Sequence, residues 1–419
     1  MNYSPFLSRV STLRMPSPIR YLIGAQSKSM YNLAGGLPNP TSFPIEKITL
    51  HMADKTEVQF EASDVQMALQ YSNTEGIKPL IEWISEHQKL MHNISSDKWD
   101  FIVTTGSQDA LSKAFEMLIN PGDGDAVLVE NPTYTGALAA LTPLEPNILA
   151  VPIDSQGIIP SELELILQQH YAKPDAKPVK FLYTIPTGQN PSGATLTVER
   201  KKQIYKLAQK YDFLILEDDP YFYLNLDVNN KEYLTTFLSM DTDGRVLRFD
   251  SLSKVLSSGL RIGWVTGHQT LMDRIHLHMQ SSSLHTSGLS QKVASKLLGK
   301  VWGQEGFNKH VDSVRKLYRD RRDEFIGYVD KHLSEHVTYT TPTAGMFLWL
   351  KFKHIPDAQR FIEERTREKR VLLVPGQAFD PLSRPSPYAR ACYSMESSEN
   401  MESACIALKE LCNEYKSIS

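Results

Sequence analysis

Cysteine is scarce in this 419-residue chain: Cys392, Cys405 and Cys412 are the only three, all near the C-terminus and none at Cys-x-x-Cys spacing. Such a set builds neither a disulfide framework nor a thiolate zinc site, and it favours a reducing compartment. Long apolar runs are missing as well. No stretch approaches the roughly 18 consecutive apolar residues that read as a membrane span, and the mean hydropathy is −0.31, so a soluble protein is expected. Charge of one sign is not in excess either, because 45 Lys and Arg stand against 48 Asp and Glu for a formal net charge of −3. Nothing in that balance draws the chain onto nucleic acid or an anionic membrane. Glycine (22) and proline (24) stay at ordinary usage, which excludes a fibrous or low-complexity chain. Acidic residues are absent from the first 45 positions, which carry Arg9, Arg14, Arg20 and Lys28 among several serines. That composition reads as a mitochondrial transit segment or as an ordered N-terminal arm; the expected location is the mitochondrial matrix, with the cytoplasm as the alternative.

Several chemical signatures are missing too. There is no Gly-x-Ser-x-Gly elbow and no Walker loop. Gly122-Asp123-Gly124 follows a helix, precedes a strand and lacks a third glycine, the wrong order for a dinucleotide site. His276, His278 and His285 lie near one another in sequence without a His-Glu-x-x-His pattern, so they read as separate histidines and not as a metal site.

What the chain does have is a large α/β pattern. From residue 101 onward, short β-rich apolar runs alternate with helical stretches, as in a mostly parallel sheet covered by helices. Strands are predicted at Phe101–Thr105, Ala126–Glu130, Ile148–Ile153, Lys180–Ile185, Phe213–Glu217, Arg245–Phe249 and Ile262–Thr266. Ala110, Leu111, Ala114, Phe115, Leu118 and Ile119 recur at helical spacing before Pro121-Gly122 ends the helix. A charged helical stretch at Gln304–His336 leads to strands at Gly345–Phe352 and Tyr388–Ser394 around a helix near Asp357–Lys369, which reads as a second, smaller α+β domain.

The chemistry concentrates where strands end. Lys254 lies just past a strand, between Ser251 and Ser253 on one side and Arg261 on the other. A covalently held aldehyde cofactor bearing a phosphate needs such a set: an amine for the carbonyl carbon, hydroxyls and a guanidinium for the phosphate oxygens, and Gly259 and Gly263 for close backbone approach. Taken alone, such a cluster also describes a solvated turn. Asp218 ends an apolar strand, where ligands of open α/β sheets bind; it can pair with a pyridine nitrogen or cap a helix. Tyr221 can donate to a ring oxygen or pack in the core. Asn190, in the turn Pro186–Gly193, offers an amide to the same oxygen or simply closes the turn. Ser107 and Gln108 open a helix whose amides face an anion, or Ser107 merely caps it. Tyr134 can stack on a flat ring or pack.

The ordered series Tyr71, Gly106-Ser107-Gln108, Tyr134, Asn190-Pro191-x-Gly193, Asp218-x-x-Tyr221, Ser251-x-Ser253-Lys254, Arg261 and Arg390 resembles the fold-type I, pyridoxal-phosphate-dependent aminotransferases of the class I/II group, over nearly the whole chain. Within that group, Pro16–Arg20, Leu33–Pro40, Asp218-Asp219-Pro220-Tyr221 and Ser257–Arg261 are similar to a subgroup acting on 2-aminoadipate and kynurenine. The resemblance implies an aspartate aminotransferase-like fold: an N-terminal arm at 1–30, a small α+β domain at 31–70 and 311–419, and a large cofactor-binding domain at 71–310 with a mostly parallel seven-stranded sheet. It implies pyridoxal 5′-phosphate held by Ser107, Gln108, Tyr134, Asn190, Asp218, Tyr221, Ser251, Ser253, Lys254 and Arg261, with Tyr71 reaching in from the second subunit of a homodimer whose active sites are shared. Lys254 is the catalytic residue in this reading. Substrate contacts fall to Arg20, Gly36, Leu37, Tyr71, Asn190 and Arg390, the last clamping the α-carboxylate, and no metal is called for. The implied reaction is ping-pong transamination of an L-amino acid (2-aminoadipate, kynurenine or an aromatic) with a 2-oxo acid, 2-oxoglutarate first. Cysteine-conjugate β-elimination and transamination of aromatic or branched-chain amino acids are the alternatives. A transcriptional regulator with an aminotransferase-like domain is a remote one, since only about 30 residues precede the Leu33–Pro40 motif.

Overall fold

All seven strands read from the sequence are present, their ends shifted by a residue or two: Trp99–Thr104, Ala126–Asn131, Asn147–Asp154, Val179–Thr184, Leu214–Asp218, Val246–Ser251 and Gly263–His268. The structure, a computed structural model, describes residues 1–18, 33, 36–94, 98–227, 234–366 and 369–418. Val127, Leu128, Val129, Phe181, Leu182, Leu214, Ile215 and Leu216 are fully buried, as expected where strands are covered on both faces and read as continuous apolar runs. The chain divides into two compact units, Met1–Asn120 with Asp241–His310, and Pro121–Met240 with Val311–Ser419.

In the first unit, Gly263–His268 runs antiparallel to both Trp99–Thr104 and Val246–Ser251, so that Gly263 faces Thr104 on one side and Ser251 on the other. The helix Ser107–Leu118 starts three residues after Thr104. It buries Ala110, Leu111, Ala114, Phe115 and Leu118, the periodic set seen in the sequence. Gly263 is the reason these ends can meet: a Cβ there would lie 2.7 Å from the Asp250 carbonyl oxygen and 2.8 Å from the Ser107 amide nitrogen. The N-terminal residues are tied to the same unit, with Tyr3 donating to the Gly244 carbonyl (2.8 Å) and the Ser8 amide donating to that of Met117 (2.7 Å).

In the second unit, Ala126–Asn131 lies parallel to Asn147–Asp154 and to Val179–Thr184, which in turn pairs in parallel with Leu214–Asp218. A two-residue strand, Gly157–Ile158, folds back antiparallel on Asn147–Asp154; it is too short to show as a pattern. An antiparallel sheet combines Val337–Thr338, Phe347–Phe352, Tyr388–Cys392 and Val374–Pro375, with Trp349 opposite Arg390. The charged stretch after Gln304 forms the helix Gly303–Leu333. The helix expected near Asp357 begins there, capped by the Asp357 carboxylate on the Gln359 and Arg360 amides, but runs regularly only over Ala358–Phe361 before widening into a π-helical turn at Ile362–Thr366. Cys392 is exposed, Cys405 and Cys412 are buried, and all three are free. No helix among the described residues is long and apolar enough to cross a membrane.

Candidate active site

In the first unit, Ser107, Ser251, Ser253 and Arg261 come together around the start of the helix Ser107–Leu118. Gly106 caps that helix at φ 80° and ψ 165°, a conformation essentially reserved for glycine. It leaves room for the Arg261 guanidinium, whose Cζ would lie 2.9 Å from a Cβ at this position. Arg261 donates to the Ser253 hydroxyl (3.4 Å) and to the carbonyls of Ser258 (3.3 Å) and Thr105 (3.3 Å). These are long bonds to neutral acceptors, and no carboxylate among the described residues pairs with it. The amides of the first helical turn and this guanidinium together make an anion site. Ser251 ends its strand and accepts the Ser253 amide (3.2 Å). Lys254 follows in the same turn, half-buried. Gln108 is half-buried on the first helical turn. Gly259 is exposed, and a Cβ there would meet only Ser257 Oγ, at 3.8 Å. Within the protein, close approach is required at Gly263 and Gly106.

In the second unit, Asp218 stands buried at the end of its strand and accepts a hydrogen bond from the Tyr183 phenol at 2.7 Å. Burial and then the Asp218 charge push the Tyr183 phenol far above its ordinary pKa, so it stays a donor. Tyr221 is buried edge-on to Phe347, with ring centroids 5.8 Å apart. Its phenol is also pushed up, by burial first and Asp218 second, with Arg390 opposing. Tyr134 is half-buried, and its ring occupies the space a side chain at Gly136 would need. Asn190, buried and joined to Pro191 by a cis peptide, accepts a hydrogen bond on Oδ1 from Arg390 Nη1 (2.9 Å). Its Nδ2 stays on the donor side. The Arg390 guanidinium lies 4.3 Å from the ring centroid of Phe347 and 5.1 Å from that of Phe379, and its buried Nε has no hydrogen-bond partner. Burial lowers its pKa, with Tyr221 the first group to oppose that. No carboxylate among the described residues meets it. A guanidinium held between aromatic faces beside one neutral amide is poised for a carboxylate that arrives from outside.

Each unit's residues suit one part of a phosphorylated pyridine aldehyde. In the first, the helix start, an Arg261 guanidinium that no carboxylate among the described residues pairs and the half-buried Lys254 suit its phosphate and carbonyl. In the second, the buried Asp218 backed by the Tyr183 phenol, with Tyr221 and Asn190, suits its ring. Tyr71 is 55% exposed, touching His285 edge-on, so its ring is accessible to a second chain. Gly36 and Leu37 are exposed, and Arg20 lies outside the described residues. His276 faces Glu75, His278 faces Glu116, and His285 bonds the Thr286 carbonyl. Sequence reasoning did not reach Tyr183, Phe347 and Phe379. Tyr183 lies inside a predicted apolar strand, where a polar group on a fully buried run is the only available signal.

A model of the family described as aminotransferase class I and II matches residues 34–408. The kynurenine/alpha-aminoadipate aminotransferase, mitochondrial, of Rattus norvegicus is 46% identical to this chain, over 96% of the chain and 97% of the relative. The protein of the same name from Bos taurus is 44% identical over 99% and 100%. Among solved structures, a Pyrococcus horikoshii kynurenine aminotransferase in complex with PMP, KYN as substrate and KYA as product is 31% identical with a TM-score of 0.78, covering 99% of this chain and 98% of that one.

Proposed function

The chain belongs to the class I and II aminotransferases, pyridoxal-phosphate-dependent enzymes that transaminate amino acids, and on that premise we propose how its residues share the reaction. Ser107, Gln108, Ser251, Ser253 and Arg261 hold the cofactor phosphate, joined by Tyr71 from the other subunit of a homodimer. Asp218, oriented by Tyr183, keeps the ring nitrogen protonated. Tyr221 and Asn190 Nδ2 donate to the ring's exocyclic oxygen, and Tyr134 stacks on the ring. Lys254 would hold the cofactor covalently through its amine. When bound, pyridoxal phosphate supplies an electron-poor ring that takes up the charge left at the substrate Cα once its proton departs. With its amine free, Lys254 would serve as the general base and acid that carries the Cα proton; such transfer contributes about 10²–10⁴-fold. Arg390 grips the α-carboxylate with its planar fork.

The amino donor we assign is 2-aminoadipate, kynurenine or an aromatic amino acid, with 2-oxoglutarate as acceptor, in keeping with the activities named for the relatives. Gly36 and Leu37, with Arg20, serve the substrate side chain. The arm at 1–30, the small domain at 31–70 and 311–419 and the large domain at 71–310 complete this reading, and the mitochondrial matrix is its proposed location. The observation that carries it is Arg390, a guanidinium with aromatic faces, a neutral amide and no carboxylate among the described residues. A panel of amino donors against 2-oxoglutarate, read as glutamate formed, tests it. Glutamate from aminoadipate, kynurenine or aromatic donors is expected, with none when the oxo acid is omitted. Product release without an oxo acid, or no glutamate from any of these donors, refutes it.

A further inference from the structure

Glu130 lies one residue from the end of the strand Ala126–Asn131 and is completely buried. Nothing in the transamination chemistry above uses it. A carboxylate in such a place is costly unless its lone pairs are filled, and here they are. Oε1 accepts from the Thr184 hydroxyl (2.6 Å), while Oε2 accepts from the Ile185 amide (3.2 Å) and from Gln189 Nε2 (3.0 Å). Gln189 passes the restraint onward. The same Nε2 donates to the Pro132 carbonyl (2.7 Å), and Oε1 accepts from the Ser192 amide (2.9 Å) and hydroxyl (2.7 Å). Its main chain closes the turn, through its amide to Ala194 (2.8 Å) and through its carbonyl to the Gly193 amide (2.7 Å). The Gln189 side chain is therefore fixed at both ends, and the next residue is Asn190.

Two routes lead from this anchor to Arg390. Along one, the fixed turn presents Asn190, whose Oδ1 takes the hydrogen bond from Arg390 Nη1. Along the other, Pro132 is followed by Thr133, whose amide donates to the Phe379 carbonyl (2.9 Å), and the Phe379 ring lies against the guanidinium. Glu130 thus braces both the edge contact and one face contact of the same cation. We propose that Glu130 is a positioning residue that aims the Arg390 guanidinium at the substrate carboxylate through Gln189, Asn190 and Phe379. This rests on the reading of Arg390 as the carboxylate clamp.

The test compares each substrate with the amine that lacks its α-carboxylate, using holoenzyme: L-phenylalanine against 2-phenylethylamine, and L-2-aminoadipate against 5-aminopentanoate. The readout is the ratio of kcat/KM for acid over amine. Calorimetric binding of 3-phenylpropionate, which carries the carboxylate and cannot react, supplies a measurement independent of turnover. Losing one aligned hydrogen bond to a charged group weakens binding by about 10–100-fold, so Glu130→Ala is expected to lower the acid/amine ratio by about that factor, through KM for the acid, and to weaken 3-phenylpropionate to match. The amine reaction should change little. Glu130→Gln should restore the ratio, because the amide can turn its oxygen toward Ile185 and Gln189 and its NH₂ toward the Thr184 hydroxyl, which is able to accept. Gln189→Ala should reproduce the Glu130→Ala loss, with no further loss in the double variant, and serves if Glu130→Ala does not fold. Equal loss on acid and amine in these variants overturns the proposal, as does an unchanged ratio alongside a collapsed one in Arg390→Ala. If Arg390→Ala itself keeps the ratio, the clamp reading fails and this inference fails with it.

Discussion

A single methyl group at Gly106 tests the anion site. Two costs follow from the structure. At φ 80° and ψ 165°, any residue but glycine is strained by about 1–3 kcal/mol. The new Cβ would also stand 2.9 Å from Arg261 Cζ, so the guanidinium must swing away from the helix start and from the Thr105 carbonyl. If that guanidinium holds the cofactor phosphate, one charge-assisted contact worth about 1.5–3 kcal/mol is lost, which is about 10–100-fold in dissociation constant. The assay is fluorescence titration of apoprotein with pyridoxal phosphate, alongside thermal unfolding of the apoprotein. Gly106→Ala should show both a lower Tm without cofactor and this weaker binding. Gly259→Ala is the internal control, because a Cβ there meets only Ser257 Oγ at 3.8 Å, and it should bind as the native protein does. Native cofactor affinity in Gly106→Ala, or equal effects at the two glycines, would show that Arg261 and the helix start do not hold the phosphate.

Three further outcomes are expected. Burial, opposed by its hydrogen bonds, pushes the Glu130 carboxyl up to about 7; a raised folded-state pKa means stability is lost as pH climbs from the ordinary glutamate value toward 7, so Glu130→Gln should gain on the native protein by up to about 3 kcal/mol between pH 5 and pH 8, and parallel Tm curves over that range would refute this. Asp64 pairs with Lys292 (2.7 Å) and Lys296, and although burial works against ionisation the two ammonium groups hold its pKa down to about 2; Asp64→Asn, which strands two buried cations, should cost about 3 kcal/mol, readable by urea unfolding, with part of the loss recovered by adding Lys296→Met. If Tyr71 works in trans, mixing Lys254→Ala and Tyr71→Ala subunits should create one intact site per mixed dimer and raise activity above either parent, whereas no gain would place Tyr71 in its own subunit's site.

The strands were legible because burial on both faces forces unbroken apolar runs such as Val127–Val129 and Leu214–Leu216, and a run of that kind needs no knowledge of its neighbours. The helix Ser107–Leu118 announced itself by periodicity, and the long helix after Gly303 by its charged helical run. Gly157–Ile158 and Val374–Pro375 were not legible, since a two-residue strand is defined only by the partner it pairs with. The regular part of the helix beginning at Ala358 stops at Phe361 for a π-helical turn, a change of hydrogen-bond pattern that hydrophobic spacing does not record.

The same division between local and distant causes runs through the site. Asp218, Asn190, Ser251 and Lys254 stand at or just past strand ends, and a strand end can be read from the sequence around it. What orients them comes from far along the chain: Tyr183 reaches Asp218 across 35 positions, Thr184 reaches Glu130 across 54, and Arg390 reaches Asn190 across 200. No spacing rule links such pairs, and each supporting residue looked like strand interior or surface until the fold supplied its partner. Arg390 makes the case most sharply. Read alone, an arginine on a short strand is a solvated surface cation, and only the rings of Phe347 and Phe379 and the amide of Asn190 turn it into a half-buried guanidinium that no carboxylate among the described residues pairs. The chemistry of this protein was therefore visible in residue identity at strand ends, while its precision is set by buried contacts that exist only in three dimensions.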